Sequence, residues 1–346
     1  MTGSTLRRGG RRLAALLVPL LLVGGLAGTG SAAGDVVISP RGLPRGADAA
    51  IPRLVGSDVV VGDLRLPVPG EPLEVVDAGD HYVVLGIDLA RGSLTSYSVA
   101  PGREPIRLRT GEGSVTISSD GRRLITREPA RGARGLTLRL VDTATGQILG
   151  ARRMLARYDV VDAGGTRVLM SDLDAGTLEW NALTGYLRKV SAQPSIAASY
   201  AANRVAVIDG VTRSRPCERT LALDAPQTVL SSSCRWLTGA IAPDGRAAQF
   251  DPAAGDERIR VADPDGRTLD VYSTAAPTTV VLQVAFPDAD SIRFRTVTPR
   301  TSTYVECRRA VCERVAPYER IEDLVGSGRR IVGFGAATRH VRAWLR

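Results

Sequence analysis

Turn-forming residues and short β-rich runs alternate along most of the chain. Each run follows a turn that contains Gly, Asp or Asn, residues that commonly separate strands. Counted from the last residue of each turn, seven such markers follow one another at spacings of 41, 44, 38, 42, 45 and 38 residues. A four-stranded propeller blade repeats every ~40–45 residues, so the pattern predicts seven blades. The markers and their runs are Gly79-Asp80 before HYVVLG, Asp120-Gly121 before RRLIT, Gly164-Gly165 before TRVLMS, Ala202-Asn203 before RVAVID, Asp244-Gly245 before RAAQF, Asp288-Ala289-Asp290 before SIRFR and Gly326-Ser327-Gly328 before RRIVGFG.

A second kind of turn lies farther along three of the repeats, at residues 141–146, 180–185 and 262–266. In each turn an Asp or Asn side chain caps the backbone and a Gly supplies positive φ, which predicts a hairpin between the third and fourth strands of a blade. No stretch after residue 33 keeps the apolar spacing of an amphipathic helix. The predicted fold class is therefore all-β, a seven-bladed β-propeller of four-stranded antiparallel blades.

Closure of this ring calls for strands from both ends of the sequence. The last repeat offers strands near residues 321–325, 330–333 and 340–345, one short of a full blade. The β-rich run at 59–66 precedes the first complete repeat. We expect this N-terminal strand to complete the last blade, because joining the termini in one sheet removes open edges.

Two of the markers carry a family resemblance. The stretches SSDGRRL at 118–124 and APDGR at 242–246 resemble the S-P-D-G-basic-x-aliphatic motif of WD-like propellers, which include the periplasmic Tol–Pal propeller. The turn at 141–146 is similar to their strand-ending D-x-x-T-G turn. The resemblance covers roughly residues 77–346 and implies the propeller fold. It implies no function, because hydrolases, lyases, redox enzymes and binding modules share this fold.

The first thirty-three residues have the pattern of a secretory signal peptide. Arg7, Arg8, Arg11 and Arg12 precede an uncharged run at 13–28, and Ser31-Ala32-Ala33 forms a small-x-small cleavage site. A membrane anchor is the alternative, but the sixteen-residue run is shorter than the ~20 residues that a spanning helix needs. The predicted boundaries are a signal peptide at 1–33, an extended N-terminal segment at 34–57 and a propeller at 58–346.

Composition narrows the possible chemistry. The 346 residues include two His, and aromatic residues make up 4%, which disfavours His-rich metal centres and stacked aromatic platforms. Residues 1–33 hold four Arg and no acid, so their removal lowers the formal charge from +9 to +5. Lys189 is the single lysine, and the arginines are spread along the chain rather than gathered in a run. A nucleic-acid partner is therefore not expected, since such a site needs a concentrated basic patch.

Four cysteines in an exported chain should form two disulfides. The midpoint between Cys217 and Cys234 falls in the turn at 224–227, so these two residues lie opposite each other in an antiparallel hairpin. Cys307 and Cys312 flank a four-residue loop short enough for a disulfide. We predict the pairs Cys217–Cys234 and Cys307–Cys312, each joining the outer hairpin of its blade.

Residues that could carry catalysis are few. His81 and His340 are isolated in sequence, no G-x-S-x-G motif occurs, and Tyr186 stands where an S-x-x-K motif ending at Lys189 would need Ser. Asp172, Asp174 and Glu179 resemble an incomplete calcium loop. A solvated hairpin turn is the favoured interpretation of that segment.

Tryptophans and arginine pairs have both structural and functional interpretations. Trp180 and Trp344 fall in predicted third strands and are expected to pack between blades, whereas Trp236 could pack or stack on a ligand. Arginine pairs could contact an anionic envelope polymer or be solvated hairpin residues; they are Arg152-Arg153, Arg308-Arg309 and Arg329-Arg330.

These patterns predict an exported propeller that binds or scaffolds at the cell envelope or outside the cell. Loops at one mouth of the central channel would contact a protein or an envelope polymer. The expected form is a monomer without cofactor, metal or catalytic residues, and with no membrane span after signal cleavage. The alternative is a hydrolase or lactonase-like enzyme in which carboxylates and His81 hold a divalent metal at the channel mouth.

Overall fold

β-Strands and tight turns form the part of the chain that the computed structural model describes, namely residues 35–88, 90, 93–111, 113–129, 135–155, 157–212, 215–253, 258–275 and 279–320. These residues contain no helix, and hence none that is long and apolar enough to span a membrane. The all-β prediction from the sequence is confirmed.

Six sheets repeat the same four-strand unit, and we number these blades in chain order. Four strands precede them, β1 (Asp35–Ile38), β2 (Arg53–Val55), β3 (Asp58–Val61) and β4 (Leu64–Pro67). Blade 1 contains β5 (Glu71–Asp77), β6 (Tyr82–Asp88), β7 (Ser93–Val99) and β8 (Ile106–Gly111). Blade 2 contains β9 (Ser114–Ile117), β10 (Arg123–Pro129), β11 (Leu136–Asp142) and β12 (Ile148–Met154). Blade 3 contains β13 (Asp159–Gly164), β14 (Arg167–Asp172), β15 (Gly176–Asn181) and β16 (Leu187–Ser191).

The remaining blades follow the same order. Blade 4 contains β17 (Ser195–Ser199), β18 (Arg204–Thr212), β19 (Arg215–Ala222) and β20 (Val229–Ser233). Blade 5 contains β21 (Leu237–Ile241), β22 (Ala247–Phe250), β23 (Arg258–Ala262) and β24 (Thr268–Thr274). Blade 6 contains β25 (Val280–Ala285), β26 (Ser291–Val297), β27 (Thr301–Arg308) and a fourth strand in two parts, β28 (Val311–Arg314) and β29 (Glu319–Arg320).

Each blade is an antiparallel meander. The first six sequence markers lie in the turns between first and second strands, and the three later turns join third and fourth strands, as predicted. The seventh marker lies outside the described residues. Turns between second and third strands, and the connections between successive blades, must therefore lie at the opposite end of the ring, which we call the connection end.

Local chemistry explains the hairpins that end a blade. In blade 2 the carboxylate of Asp142 accepts the backbone N–H of Thr145 at 3.0 Å, and Gly146 adopts a φ of +74°. The side chain thus replaces a backbone acceptor, and Gly takes the left-handed conformation at no steric cost. The turn joins β11 to β12 and fixes the register in which Leu140 and Val141 pair with Gly150 and Ile148.

The seventh sheet corrects one detail of the prediction. The run at 59–66 is not a single strand but the hairpin of β3 and β4, closed by Gly62-Asp63, with Gly62 at a φ of +58°. Strand β2 pairs with β3 on the other side. The N-terminal part of the chain therefore gives this sheet three strands rather than one. The strands predicted at 321–345 lie outside the described residues, so closure of the last blade stays a prediction.

Residues 35–49 form a strap along the outer edges of two blades. Strand β1 pairs in parallel with β24 of blade 5. Farther along, the N–H groups of Gly46 and Ala49 donate to the carbonyls of Arg314 and Val315 beside blade 6, at 3.0 and 2.9 Å. The strap thus covers edge backbone groups that would otherwise be open to another strand.

The strap packs on the apolar core at the seam between blades 5 and 6. Ile38 of the strap is 1% exposed and belongs to the same apolar cluster as Ile259 and Tyr272 of blade 5 and Phe294 and Val305 of blade 6. The strap is therefore held by the hydrophobic effect as well as by backbone pairing.

Candidate functional site

A cleft of about 390 Å³ opens at the connection end, over the seam between blades 5 and 6. Its walls come from the strap, from the connection between the two blades, and from the turn between β26 and β27. A volume of this size falls within the usual range of small-ligand sites. The lining residues are Ser39, Pro40, Arg41, Ala275, Thr279, Thr298, Pro299, Arg300, Thr301 and Tyr318.

The strap contributes a β-turn of sequence Ser-Pro-Arg-Gly. The N–H of Gly42 donates to the carbonyl of Ser39 at 2.8 Å, which closes the turn. Pro40 stands at the second position, where its fixed φ favours the turn conformation. Arg41 follows at the third position, and its side chain is exposed. The local sequence therefore holds the backbone of one cationic residue at the cleft.

Blade 6 contributes a second turn, of sequence Thr-Pro-Arg-Thr. The N–H of Thr298 donates to the carbonyl of Thr301 at 2.8 Å, and Thr298 Oγ1 accepts the N–H of Thr301 at 3.1 Å. Pro299 again precedes the arginine, and Arg300 is exposed. The cleft thus has an arginine from each of two proline-shaped turns that are far apart in sequence.

The cleft wall carries positive charge from Arg41 and Arg300. None of the lining residues is acidic. Among the described residues, no carboxylate forms an ion pair with Arg41 or Arg300, whereas Arg45, in the next Pro-Arg-Gly of the strap, pairs with Asp48 and donates to the carbonyl of Arg314 at 3.0 Å. The arrangement is suited to binding an anionic group.

Both predicted cysteine pairs are at disulfide distance. The sulfur atoms of Cys217 and Cys234 are 2.04 Å apart, and those of Cys307 and Cys312 are 2.01 Å apart. Cys307 and Cys312 are also direct partners in the β27–β28 register. Cys307–Cys312 joins the third and fourth strands of blade 6, and Cys217–Cys234 joins the third strand of blade 4 to the residue directly after its fourth strand. Two such pairs are typical of proteins from oxidising compartments outside the cytoplasm.

His81 connects two blades. Its Nε2 lies 2.9 Å from Thr143 Oγ1 of blade 2, and its Nδ1 lies 2.8 Å from Asp80 Oδ1. The pKa of Asp80 is lowered, chiefly by its hydrogen bond with His81. The ring is 4% exposed, so its contacts join neighbouring hairpins rather than forming an open site. His340 lies outside the described residues.

The carboxylates of the calcium-like segment have other partners. Asp172 Oδ1 accepts the N–H groups of Asp174 and Ala175 at 3.0 and 2.6 Å, which makes the segment a hairpin turn. Glu179 accepts two hydrogen bonds from Arg188, at 2.9 and 3.2 Å. Within the described ranges, no three His, Cys, Asp or Glu residues converge as a metal site would require.

The tryptophans that the structure describes are buried. Trp180 is 1% exposed in the core between blades 2 and 3. Trp236 is 7% exposed, and the guanidinium carbons of Arg235, Arg258 and Arg260 lie 5.2, 5.8 and 5.2 Å from its ring centroid. Trp236 therefore packs with arginines at the connection end rather than offering an open stacking surface. Trp344 lies outside the described residues.

Within the described residues, one arginine of each described pair contacts another part of the protein. Arg152 donates to the carbonyl of Gly185 in the next blade, and Arg308 forms an ion pair with Asp288 at 2.7 Å. Arg309 takes a φ of +54° in the β27–β28 turn. Arg153 is exposed on β12. Arg329 and Arg330 lie outside the described residues.

Two buried carboxylates were not among the sequence candidates. Burial raises the pKa of Asp162 to about 6 and that of Glu218 to about 7. Glu218 accepts a 2.6 Å hydrogen bond from Thr238 Oγ1 across the seam between blades 4 and 5. Both carboxylates bridge blades, and neither lines the cleft.

Sequence reasoning also missed Arg41 and Arg300. A local signal was present, because each follows Pro in a four-residue segment that begins with a hydroxyl residue. What the sequence does not show is that the strap brings the first segment to the same cleft as the second.

Comparison with solved structures shows the propeller fold at low sequence identity. The propeller domain of the Trilobed protease from Pyrococcus furiosus aligns with a TM-score of 0.51 and 8% identity, covering 84% of this chain and 97% of that one. The acylaminoacyl peptidase of Pyrococcus horikoshii aligns with a TM-score of 0.54 and 8% identity, covering 79% of this chain and 49% of the peptidase.

A further acylaminoacyl peptidase, in complex with Z-Gly-Gly-Phe-chloromethyl ketone, gives a TM-score of 0.50 and 10% identity, covering 74% of this chain and 46% of that one. The chain thus spans about half the length of these peptidases. No family model and no curated protein matches the chain. At such identities the likeness shows the fold alone, a β-propeller whose seven sheets form a ring.

Proposed function

We propose that the protein is an exported binding or scaffolding module at the cell envelope or outside the cell, and that its ligand binds in the cleft between blades 5 and 6. One observation carries this proposal: Arg41 and Arg300, each on a proline-shaped turn, line one cleft without an acidic neighbour in its wall. Sites that bind ligands commonly place a few polar groups on loops held by a rigid scaffold.

Export is supported by three features. The sequence at 1–33 has the basic, apolar and small-residue parts of a signal peptide. Both cysteine pairs are at disulfide distance. Strand β1 begins at Asp35, directly after the proposed cleavage at Ala33, so processing leaves the strap intact. We further propose that the repeats are of the WD-like type and that the mature chain acts as a monomer on a protein or an envelope polymer.

A binding role is favoured over the hydrolase or lactonase-like alternative. That alternative needs carboxylates and His81 to converge on a metal. In the residues that are described, His81 contacts Asp80 and Thr143, and Glu179 is paired with Arg188. The peptidases of similar fold support no catalytic role here, because they share the fold at 10% identity or less.

Cell fractionation tests the proposal directly. The full-length chain, the double variant Arg41→Gln/Arg300→Gln and the control Arg153→Gln would be expressed in the organism that encodes them. We expect a chain starting near residue 34 outside the cytoplasm, with envelope retention lost in the double variant and kept in the control. An unprocessed cytoplasmic chain would overturn export, and equal retention of all three proteins would overturn the assignment of the cleft.

A further inference from the structure

We infer that the cleft between blades 5 and 6 is an oxyanion clamp, in which Arg41 and Arg300 together hold a phosphate or carboxylate group of the ligand. The inference rests on the proposed function only in taking this cleft as the ligand site. It adds the chemical class of the group that is bound and the two residues that bind it.

The two turns share one design. Each places a hydroxyl residue first, Pro second and Arg third, in Ser39-Pro40-Arg41 and Thr298-Pro299-Arg300. Each has a backbone hydrogen bond of 2.8 Å between its first and fourth residues, donated by the N–H of Gly42 in the first turn and by the N–H of Thr298 in the second. Because Pro limits the backbone before binding, less conformational entropy is lost when the arginine engages a ligand. The turns therefore favour the use of both arginines in recognising a small charged group over their serving only as solvated surface residues.

The strap offers an internal comparison between two arginines. Arg41 and Arg45 both follow Pro and precede Gly. Arg45 is committed to the protein, through its ion pair with Asp48 and its hydrogen bond to the Arg314 carbonyl. Arg41 lines the cleft and has no such ion pair among the residues described. Local sequence is thus similar at the two positions, while the charge of Arg45 is compensated and that of Arg41 is open to a ligand.

Guanidinium groups fit oxyanions better than other anions. Their planar donors match the spacing of phosphate and carboxylate oxygens, and such charge-assisted hydrogen bonds are among the strongest in proteins. Thr298 and Thr301 also line the cleft, with their Oγ1 atoms 3.0 Å apart. Tyr318 also lines the cleft and is 38% exposed. The guanidinium carbon of Arg314 lies over its ring, 4.6 Å from the centroid.

The cleft exceeds the size of a single oxyanion. At about 390 Å³ it has room for the charged group and for one or two adjoining units of a larger ligand. A repeating anionic polymer would supply such units on both sides of the bound group. Phosphate and carboxylate polymers share this chemistry, so the experiment treats them as separate arms.

Binding of defined probes tests the clamp. Isothermal titration calorimetry would use the oxidised chain lacking residues 1–33 with linear polyphosphate, with poly-L-glutamate and with neutral dextran. The variants are Arg41→Gln, Arg300→Gln and the charge-retaining Arg41→Lys and Arg300→Lys, and Arg153→Gln is the control that removes the same charge elsewhere. Thermal melting confirms that each variant is folded.

We expect saturable binding of at least one anionic polymer and none of dextran. Each Gln variant should weaken binding about tenfold or more, each Lys variant should weaken it less, and Arg153→Gln should stay within about twofold. The polymer that binds more tightly identifies the source of the oxyanion. Absence of binding to both polymers, or equal losses in Arg153→Gln and the cleft variants, would overturn the clamp. Envelope retention that depends on Arg41 and Arg300 without binding of either polymer would leave the proposed function standing and reject only the oxyanion.

Discussion

Asp162 of blade 3 accepts a hydrogen bond from the backbone N–H of Ser119 in blade 2, with 2.9 Å between the carboxylate oxygen and the nitrogen. The same carboxylate also accepts the hydroxyl of Ser119 at 3.2 Å and the N–H of Tyr200 in blade 4 at 3.4 Å. One side chain, 2% exposed, therefore joins the first strand of blade 3 to the strand 1–2 turns of blades 2 and 4.

This position makes Asp162 a source of pH-dependent stability. Burial raises its pKa from 3.8 to about 6 despite the hydrogen bonds that lower it. Between these values the folded state holds a proton that the unfolded state has lost, so the contribution of Asp162 to the free energy of unfolding falls as pH rises from about 4 to 6. A shift of this size corresponds to the order of 3 kcal/mol. Urea unfolding at pH 4 and pH 7 gives the decrease in the free energy of unfolding between the two pH values. This decrease should be smaller in Asp162→Asn than in the wild type.

The control for this comparison is Asp120→Asn. Asp120 lies in the same turn as Ser119, and its side chain accepts the N–H of Arg122 at 3.0 Å and is exposed. The Asp120 variant should keep the pH dependence of the wild type. An identical pH dependence in wild type and Asp162→Asn would contradict the assignment.

Glycines in the repeat markers should differ in their tolerance of a side chain. Gly121 and Gly165 both have positive φ, of +71° and +59°. A Cβ at Gly121 would lie 2.7 Å from the carbonyl oxygen of Asp77 and 2.8 Å from the Cβ of Ala78 in blade 1, whereas one at Gly165 meets nothing within 4 Å. Gly165→Ala should cost about 1–2 kcal/mol from backbone strain, and Gly121→Ala should cost about 1–3 kcal/mol more from overpacking. Equal losses in denaturant unfolding would argue against close blade contact at Gly121.

The sequence was informative wherever structure depends on neighbouring residues. The first six markers form strand 1–2 turns because Gly, Asp and Asn determine the backbone locally, and the register of Cys307 with Cys312 follows from a short loop. The Gly62-Asp63 turn is also local, yet the β-rich run around it predicts a single strand. Pairing of β1 with β24 could not be predicted, because nothing in either strand encodes a partner so distant in sequence.

The same distinction applies to the cleft. Each Pro-Arg turn can be predicted from its own four residues. The cleft, by contrast, forms only because Ile38 anchors the strap at the seam between blades 5 and 6. Asp162 was missed for a similar reason: an Asp after two valines in a strand has no sequence signal that marks it as the acceptor for turns in two other blades.

The two cysteine pairs should differ in their reactivity. Cys307 and Cys312 are 0% and 7% exposed, whereas Cys234 is exposed and Cys217 half-buried. Thiol–disulfide exchange requires access of the attacking thiolate to a sulfur. Under mild dithiothreitol treatment of the folded protein, alkylation and mass spectrometry should detect Cys217 and Cys234 first. Labelling of Cys307 and Cys312 at the same rate would contradict the burial of that pair.

Anchoring of the strap can be separated from the chemistry of its arginine. Ile38 is 1% exposed in the blade 5 and 6 core, while the neighbouring Val37 is 56% exposed. Ile38→Ala should lower the free energy of unfolding by about 2–5 kcal/mol, and Val37→Ala by less than about 0.5 kcal/mol. Because Ile38 positions the turn that carries Arg41, its truncation should also weaken the binding of anionic polymer, although no charge is removed. Calorimetry of both variants at a temperature where each remains folded measures this effect, and unchanged binding in Ile38→Ala would show that Arg41 reaches the ligand without a docked strap.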